Sequence, residues 1–507
     1  MSILTDDSLE FAKAHIIKFY DSDFFPRAFE FEAIWHSWDE VKRDLCSRNV
    51  KSLQVVTPRT MTSMKPKFGF RVVQQLDPLN TLIYTALVYL VANQIEAARA
   101  PKDSFIACSY RIDLGNGSLF SYGNGFAEFV SQSESLSKQY QYVLATDITD
   151  FYNQVYLHRL SNAIESADHN LKALAGDIED FLSRLNQKAS QGVPVGPAAS
   201  IVLAEGVLID IDSFLVSKGV FHTRYVDDFR IFSNSESKLF SILEELTLYM
   251  YENHRLTLSS EKTKLIGTRE YADEILHNQY ELERIELFEM LEMFNPYSGE
   301  LEEVPVPIDD EETLANAQIS ILAAKVLERK ALDLGLSRAL IRKAKKFKID
   351  GLAQILLEKI DFFAPVINDV CLYLNAVSSP DFIEKHQFLV VDLSRSALME
   401  RGLVRLWVEW YITSNKALLS NRDLAEFIRS SPNLASQACL AIALRDISWV
   451  RTHKSRLNHV GDWERRSIIR ASQVLPSDEK KHWLKQVERE ALSNLDKYVA
   501  KWIRETT

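Results

Sequence analysis

The chain has 507 residues, 46% of them apolar, and 59 Lys and Arg against 70 Asp and Glu for a formal net charge of −11. This length implies two domains or more with ample core, which excludes a disordered chain. The acidic balance excludes a surface that coats nucleic acid broadly, because neutralising many phosphates needs a basic footprint, so any such groove is local. Four scattered cysteines, Cys46, Cys108, Cys371 and Cys439, form no C-x-x-C pair, which gives no zinc site and no disulfide framework and points to a reducing compartment. With no signal core at the N-terminus, and with the run Leu82–Ala92 too short to span a bilayer, a cytoplasmic protein with no membrane partner is expected.

Taken in chain order, Tyr20 sits in a Phe-Tyr-Asp-Ser-Asp-Phe-Phe-Pro stretch that reads as an exposed break after a helix. Residues 141–146 read as a buried strand that ends in Asp147-Ile-Thr-Asp-Phe-Tyr152, with a helical stretch from Asn153 to about Ala167 to follow. Asp150 stands where a helix N-cap belongs. Next comes a Gly/Pro loop, Gln191-Gly-Val-Pro-Val-Gly-Pro-Ala-Ala-Ser200, which opens an apolar helix over about Ala199 to Leu215. Gly192 and Gly196 let backbone approach a ligand there. The near-symmetric apolar pattern from Phe221 to Phe232 then predicts two short strands joined at Asp227-Asp228, with acid held at a sheet edge. Paired carboxylates in such a turn suit Mg²⁺, which takes few protein oxygens and leaves the rest of its octahedron to water and phosphates. Asp147 at its strand end can join them, and Asp147 with Asp227 would bridge two metal ions about 3.5–4 Å apart, as in-line nucleotidyl displacement requires.

Past residue 300 an acidic, Pro-bearing stretch, Glu300 to Glu312, reads as a linker or exposed loop, and from about Thr313 amphipathic helical patterns succeed one another. Helix starts at Ser379, Ser420 and Pro476 recur at roughly 40 to 55 residues, which suggests helix pairs stacked as in HEAT-like solenoids. After Asp446 the chain carries Arg451, Lys454, Arg456, Arg465, Arg466 and Arg470 interleaved with Trp449 and Trp463. Charge with aromatics can hold a single strand by phosphate contact and stacking; solvated helix faces with Trp anchors are the plain alternative.

The ordered series of strand-Asp147, Gly/Pro loop with helix, and Tyr225-Val-Asp-Asp228 hairpin resembles motifs A, B and C of reverse transcriptases. The resemblance implies that Asp147, Asp227 and Asp228 are the catalytic, metal-holding carboxylates, with two Mg²⁺ ions as cofactors and Mn²⁺ as an alternative. It makes Tyr152 a steric gate that excludes a 2′-hydroxyl, and it assigns nucleotide contact to the loop at Gln191, Gly192, Pro194 and Gly196. Upstream, Lys65-Pro-Lys-Phe-Gly-Phe-Arg71 is similar to the fingers segment that clamps the triphosphate; Arg71 is one cation and either Lys65 or Lys67 the other. Leu256 to Lys264 is similar to motif D, with Lys262 and Lys264 as candidates to assist pyrophosphate departure. One departure stands out: where templated enzymes carry Pro-Gln-Gly, this chain has Pro194-Val195-Gly196, and valine cannot hydrogen-bond.

With the chain length and the helical C-terminal half, this departure makes the whole resemble the abortive-infection (Abi) reverse transcriptases of the AbiK type and their prophage-encoded relatives. The implied fold is an α+β fingers and palm over residues 1–285, a linker over 286–312, and an all-α HEAT-like helical-repeat half over 313–507. The implied activity is untemplated DNA synthesis from deoxynucleoside triphosphates, primed by a protein tyrosine that stays attached to its single-stranded product, in anti-phage defence and with assembly into homo-oligomers. Tyr20 is the priming candidate, on accessibility alone. Two other readings stay open: an RNA-templated enzyme of retron or intron type, and a vestigial palm carrying a helical solenoid that binds a phage or host partner.

Overall fold

The computed structural model describes residues 3–276 and 311–507, apart from positions 68, 122, 124 and 330. The expected linker therefore lies outside the described residues up to position 310, while Glu311 already opens a helix. The chain forms two compact units: Met1–Ser22, Asp39–Thr60 and Val73–Leu282 make the first, and Asp23–Trp38, Met61–Val72 and Glu283–Thr507 the second. The boundary is not the single cut expected near residue 285, because two N-terminal segments belong with the C-terminal half.

The first 276 residues contain α1 (Asp6–Phe19), α2 (Glu30–His36), α3 (Trp38–Ser47), β1 (Arg59–Met64), β2 (Phe70–Gln75), α4 (Pro78–Ala98), α5 (Gly125–Gln139) and β3 (Tyr142–Asp147). They continue with α6 (Phe151–Gln154), α7 (Leu157–Ala167), α8 (Lys172–Leu185), α9 (Ala198–Ser217), β4 (Phe221–Tyr225), β5 (Asp228–Ser233), α10 (Glu236–His254) and β6 (Lys264–Gly267). Helix α4 begins where Asp77 accepts the Leu79 N–H and Pro78 fills the first turn, a position that needs no donor. It is apolar on nearly every side, as is α9, and the two pack together as the buried centre of the first unit. An antiparallel sheet in the order β4-β5-β3-β6 lies beside them, with α9 on β4, α10 on β3 and β5, and α5 also against β4.

The helix expected from Asn153 to Ala167 is broken into α6 and α7. Loop residues 190–192 take the hydrogen bonds that would have continued it: the Val155 carbonyl accepts the Gly192 N–H, and the Leu157 N–H goes to Ser190. Competition from a neighbouring loop thus ends the helix without proline or glycine.

The second unit continues with α11 (Glu311–Leu327), α12 (Leu334–Phe347), α13 (Leu352–Glu358), α14 (Ile367–Val377), α15 (Pro380–Ser394), α16 (Gly402–Ser414) and α17 (Arg422–Arg429). It ends with α18 (Leu434–Leu444), α19 (Ile447–Lys454), α20 (Asp462–Ala471), α21 (Ser477–Glu490) and α22 (Asn494–Thr506). Alternate helices stack: α12, α14, α16, α18, α20 and α22 form one layer, each against the next, while α11, α13, α15 and α17 form another. This is the stacked helical-pair architecture the sequence implies, and the C-terminal half is all helical. The window Ile360–Val377 matches a membrane span in length and hydropathy, yet 61% of it is buried in the protein, as a core segment is. Helix α2 closes the end of the stack against α22. There the Trp407 indole donates to the Phe24 carbonyl at 2.7 Å, Asn368 donates to Asp23 at 2.9 Å, and Arg466 pairs with Glu30 at 2.9 Å.

Candidate active site

At the edge of the sheet, β3 ends and β5 begins on carboxylates that face each other. Asp147 and Asp228 are register partners, and Asp228 also stands opposite Tyr225. Val226 and Asp227 form the turn between β4 and β5, and the Asp227 carbonyl accepts the Ile148 N–H at 3.1 Å, which ties this turn to the end of β3. The strand-end acid and the hairpin acids therefore meet. Burial first, then the Asp147 charge, pushes the Asp227 carboxyl up to about 6. Burial also raises Asp228, against the opposing pull of Arg230, whose guanidinium grips that carboxylate with both terminal nitrogens. The Lys262 ammonium lies 2.7 Å from Asp147 Oδ2, on an exposed stem.

Two of the three carboxylates are thus neutralised by the chain's own cations, and among the described residues no three His, Cys, Asp or Glu side chains are gathered as a metal cluster. The donor set nonetheless fits Mg²⁺, which asks for one or two carboxylates and supplies the rest of its shell from water and phosphate. The crowding recorded in Asp227 is the kind of charge excess a divalent ion relieves. Asp147 and Asp227 are the better-fitting pair, since Asp147 meets a single ammonium on the exposed Lys262 whereas Asp228 is gripped by two nitrogens of the mostly buried Arg230. Lys262, one of the two motif D candidates, reaches the carboxylates; Lys264 opens β6 and is exposed.

The Gly/Pro loop reaches the same neighbourhood through backbone. The Tyr152 carbonyl accepts the Val193 N–H at 2.9 Å, which brings the candidate gate beside the loop, and Pro194 is buried while Gln191 is exposed. Asn186 holds the carbonyls of Gln191 and Gly192 at 3.0 and 2.7 Å. Val195 is locked on both sides by Gln74: its N–H donates to Gln74 Oε1 at 2.7 Å, and its carbonyl accepts the Gln74 N–H at 2.9 Å. Gly196 has φ +137°, and a Cβ there would lie 2.7 Å from Ser22 Oγ and 3.1 Å from the Gln74 carbonyl, so only glycine fits. Ser200 is spent on structure, bonding the buried Tyr84 hydroxyl at 3.0 Å. Asp150 occupies the N-cap position of α6 but in left-handed geometry and with no side-chain bond to a backbone N–H; its carboxylate takes the Asn153 side-chain amide instead.

Lys65, Lys67 and Arg71 are exposed at the β1–β2 hairpin, in the part assigned to the second unit, and no carboxylate pairs with them among the described residues. Tyr20 is 47% exposed and ends α1 with φ +66°. Four of the six cations named after Asp446 are held in ion pairs within the second unit. Arg465 and Arg466 are buried, on Asp462 with Asp496 and on Glu30 respectively, and Arg451 and Lys454 share Glu479. Those charges are consumed in closing helix pairs. A basic surface of the helical half lies on α12, where Lys345 and Lys346, with Lys348 just past its end, have no carboxylate partner among the described residues, while Leu336, Leu340, Ile341 and Ala344 are buried.

A second set of charges behind the hairpin escaped the sequence reading. Arg224 is fully buried and bonds Asp212 at 2.8 Å and Glu205 at 2.8 Å, and Arg99 joins Glu205 at 2.9 Å. Burial would raise the Asp212 carboxyl, but Arg224 and then His222 outweigh it and hold it at about 2. The signal was present: Glu205 and Asp212 lie seven apart, on one face, in a helix whose one other charged residue is Asp210.

Residues 69–277 match the family described as reverse transcriptase (RNA-dependent DNA polymerase). The chain thus carries a reverse transcriptase domain and is an enzyme of the nucleotidyltransferase class, a class that uses divalent metal ions. No curated protein matches it in sequence. Solved structures similar to it include telomerase from Candida albicans in complex with a TWJ fragment of telomeric RNA, at 12% identity over 75% of this chain and 70% of that one, TM-score 0.34. Telomerase from Candida tropicalis is similar too, with the same kind of RNA fragment (12% identity, 75% and 68% covered, TM-score 0.37) and in the apo form (11%, 74% and 72%, TM-score 0.35).

Proposed function

We propose that the chain is a DNA polymerase of anti-phage defence that adds deoxynucleotides without a template to a tyrosine of its own, working in the cytoplasm as a homo-oligomer. One observation carries the untemplated reading. At the loop position where templated relatives offer a glutamine side chain, Val195 offers none, and its backbone N–H and carbonyl are both taken by Gln74. Position 195 has no donor left to read a nucleotide sugar or its pairing.

The chemistry at the sheet edge is nucleotidyl transfer. Asp147 and Asp227 would hold Mg²⁺ or Mn²⁺, with Asp228 completing the acidic edge under the grip of Arg230. Bound metal supplies the positive charge that lowers the pKa of the attacking hydroxyl and stabilises the pentavalent phosphorus. Lys262, whose ammonium lies 2.7 Å from Asp147, would give a proton to the leaving pyrophosphate. Tyr152 would close the space under the sugar, and Arg71 with Lys65 or Lys67 would compensate the triphosphate charge.

The test is to incubate the full-length protein with deoxynucleotides and Mg²⁺, with and without a defined RNA or DNA template, then sequence the product and determine its attachment by mass spectrometry. Template-independent sequence joined to a tyrosine is expected, with Tyr20 the first position to examine. Product that copies the template and is free of protein would establish the RNA-templated reading in its place.

A further inference from the structure

The turn that carries Asp227 is strained, and a buried apparatus grips it. A two-residue hairpin turn with left-handed φ at its first position normally has glycine there. Here the position is Val226, at φ +55° and 8% exposed, a conformation that β-branched residues avoid. Both polar groups of Val226 are engaged. Its N–H donates to Ser109 Oγ at 2.9 Å, and its carbonyl accepts Arg224 Nη1 at 3.4 Å. Ser109 Oγ in turn donates to Glu205 Oε1 at 2.5 Å, so the serine is fixed with a lone pair toward the turn. Glu205 is shared by Arg224 and Arg99, and Arg99 also bonds the carbonyls of Ser109 and Tyr110 at 2.7 and 3.0 Å. The loop that bears Ser109 is stitched along β4, through Arg224 N–H to Ile106 at 2.7 Å and Cys108 N–H to Arg224 at 3.1 Å.

We infer that Ser109 is a positioning residue for nucleotidyl transfer: backed by Glu205, it holds Val226 in the left-handed turn that presents the Asp227 carboxylate to the reaction. Glycine would adopt this turn without help. Valine adopts it only while gripped. The inference rests on Asp227 belonging to the reaction centre and is independent of whether a template is used.

The test is steady-state incorporation of a labelled deoxynucleotide by three variants of the full chain. Ser109→Ala is expected to lower kcat about 10- to 100-fold, by letting the strained turn relax, with KM for the nucleotide nearly unchanged. Val226→Gly alone is the reference against which the double variant is read. The double variant Ser109→Ala with Val226→Gly should recover most of the lost kcat, because glycine holds the left-handed turn without the grip. A merely structural role for Ser109 predicts no such recovery. Folded Ser109→Ala with near-normal kcat, or a double variant as slow as the single one, overturns the inference. If Ser109→Ala does not fold, Ser109→Cys, which keeps the volume but accepts poorly, is read in the same way. Asp227→Asn is the control: if it stays active, the site assignment fails, whereas its inactivity beside a fully active Ser109→Ala overturns the grip alone.

Discussion

The hairpin at residues 221–233 has charge on both sides, held in opposite ways. On one side, Asp147 and Asp228 are neutralised by Lys262 and Arg230, and Asp227 keeps an excess charge that burial and Asp147 make costly. On the other, Glu205, Asp212, Arg224 and Arg99 are buried and satisfy one another almost completely. The contrast teaches how one strand pair serves chemistry and stability together. Carboxylates left under-compensated are open to a cation from outside. Carboxylates closed on buried arginines fix the backbone that presents the first set.

The largest expected effect tests the open side. Asp227→Asn should cut nucleotide incorporation by at least about 10³-fold, since two-metal stabilisation is worth several kcal/mol. The same change should raise the melting temperature of the metal-free protein, because it removes a charge that burial and Asp147 disfavour; calorimetry in chelator checks the sign. Retained activity would place the metal elsewhere. On the closed side, Arg224→Met leaves two buried carboxylates without their shared cation and should destabilise the protein by about 3–5 kcal/mol. Denaturant unfolding measures this, and a small loss would mean that water reaches Glu205 and Asp212.

The helical half repeats the contrast, with Arg465 and Arg466 closed and α12 open. Reversing Lys345, Lys346 and Lys348 to Glu should leave the fold intact, weaken single-stranded DNA binding about 10- to 100-fold, and flatten its salt dependence by two to three in slope. Binding titrations across salt concentrations decide this. Arg466→Glu should instead unfold the end of the stack where Glu30 sits. The smallest effect concerns Tyr152→Ala, which should relax discrimination against ribonucleotides about tenfold in competition assays. Unchanged sugar preference in a folded variant would assign Tyr152 to packing.

Much of the sheet edge was legible because polar residues there break an apolar rhythm. The acids at 227 and 228 interrupt a hairpin pattern, and Asp147 ends a buried strand, so position and chemistry could be read together. The split of α6 from α7 was not legible, since it arises from loop residues 190–192 that compete for backbone groups and leave no trace at positions 155–157. The fate of Arg465 and Arg466 was hidden for a similar reason. Arginines on an amphipathic helix look alike whether they meet solvent or a glutamate contributed by residue 30. Even the linkage of Val195 to Gln74 depends on a strand 121 positions away.

The pairing of Glu30 with Arg466 spans 436 positions, and this separation bears on how the chain is made. At translation rates of about 5–20 residues per second, the segment carrying Glu30 emerges roughly 20 to 90 s before Arg466 exists. Through that interval Phe31, Ala33 and Ile34 of α2 are without the helices that later cover them. The nascent chain therefore has reason to depend on a chaperone early in synthesis, since one end of the helical stack is closed by an early segment that waits for a late one.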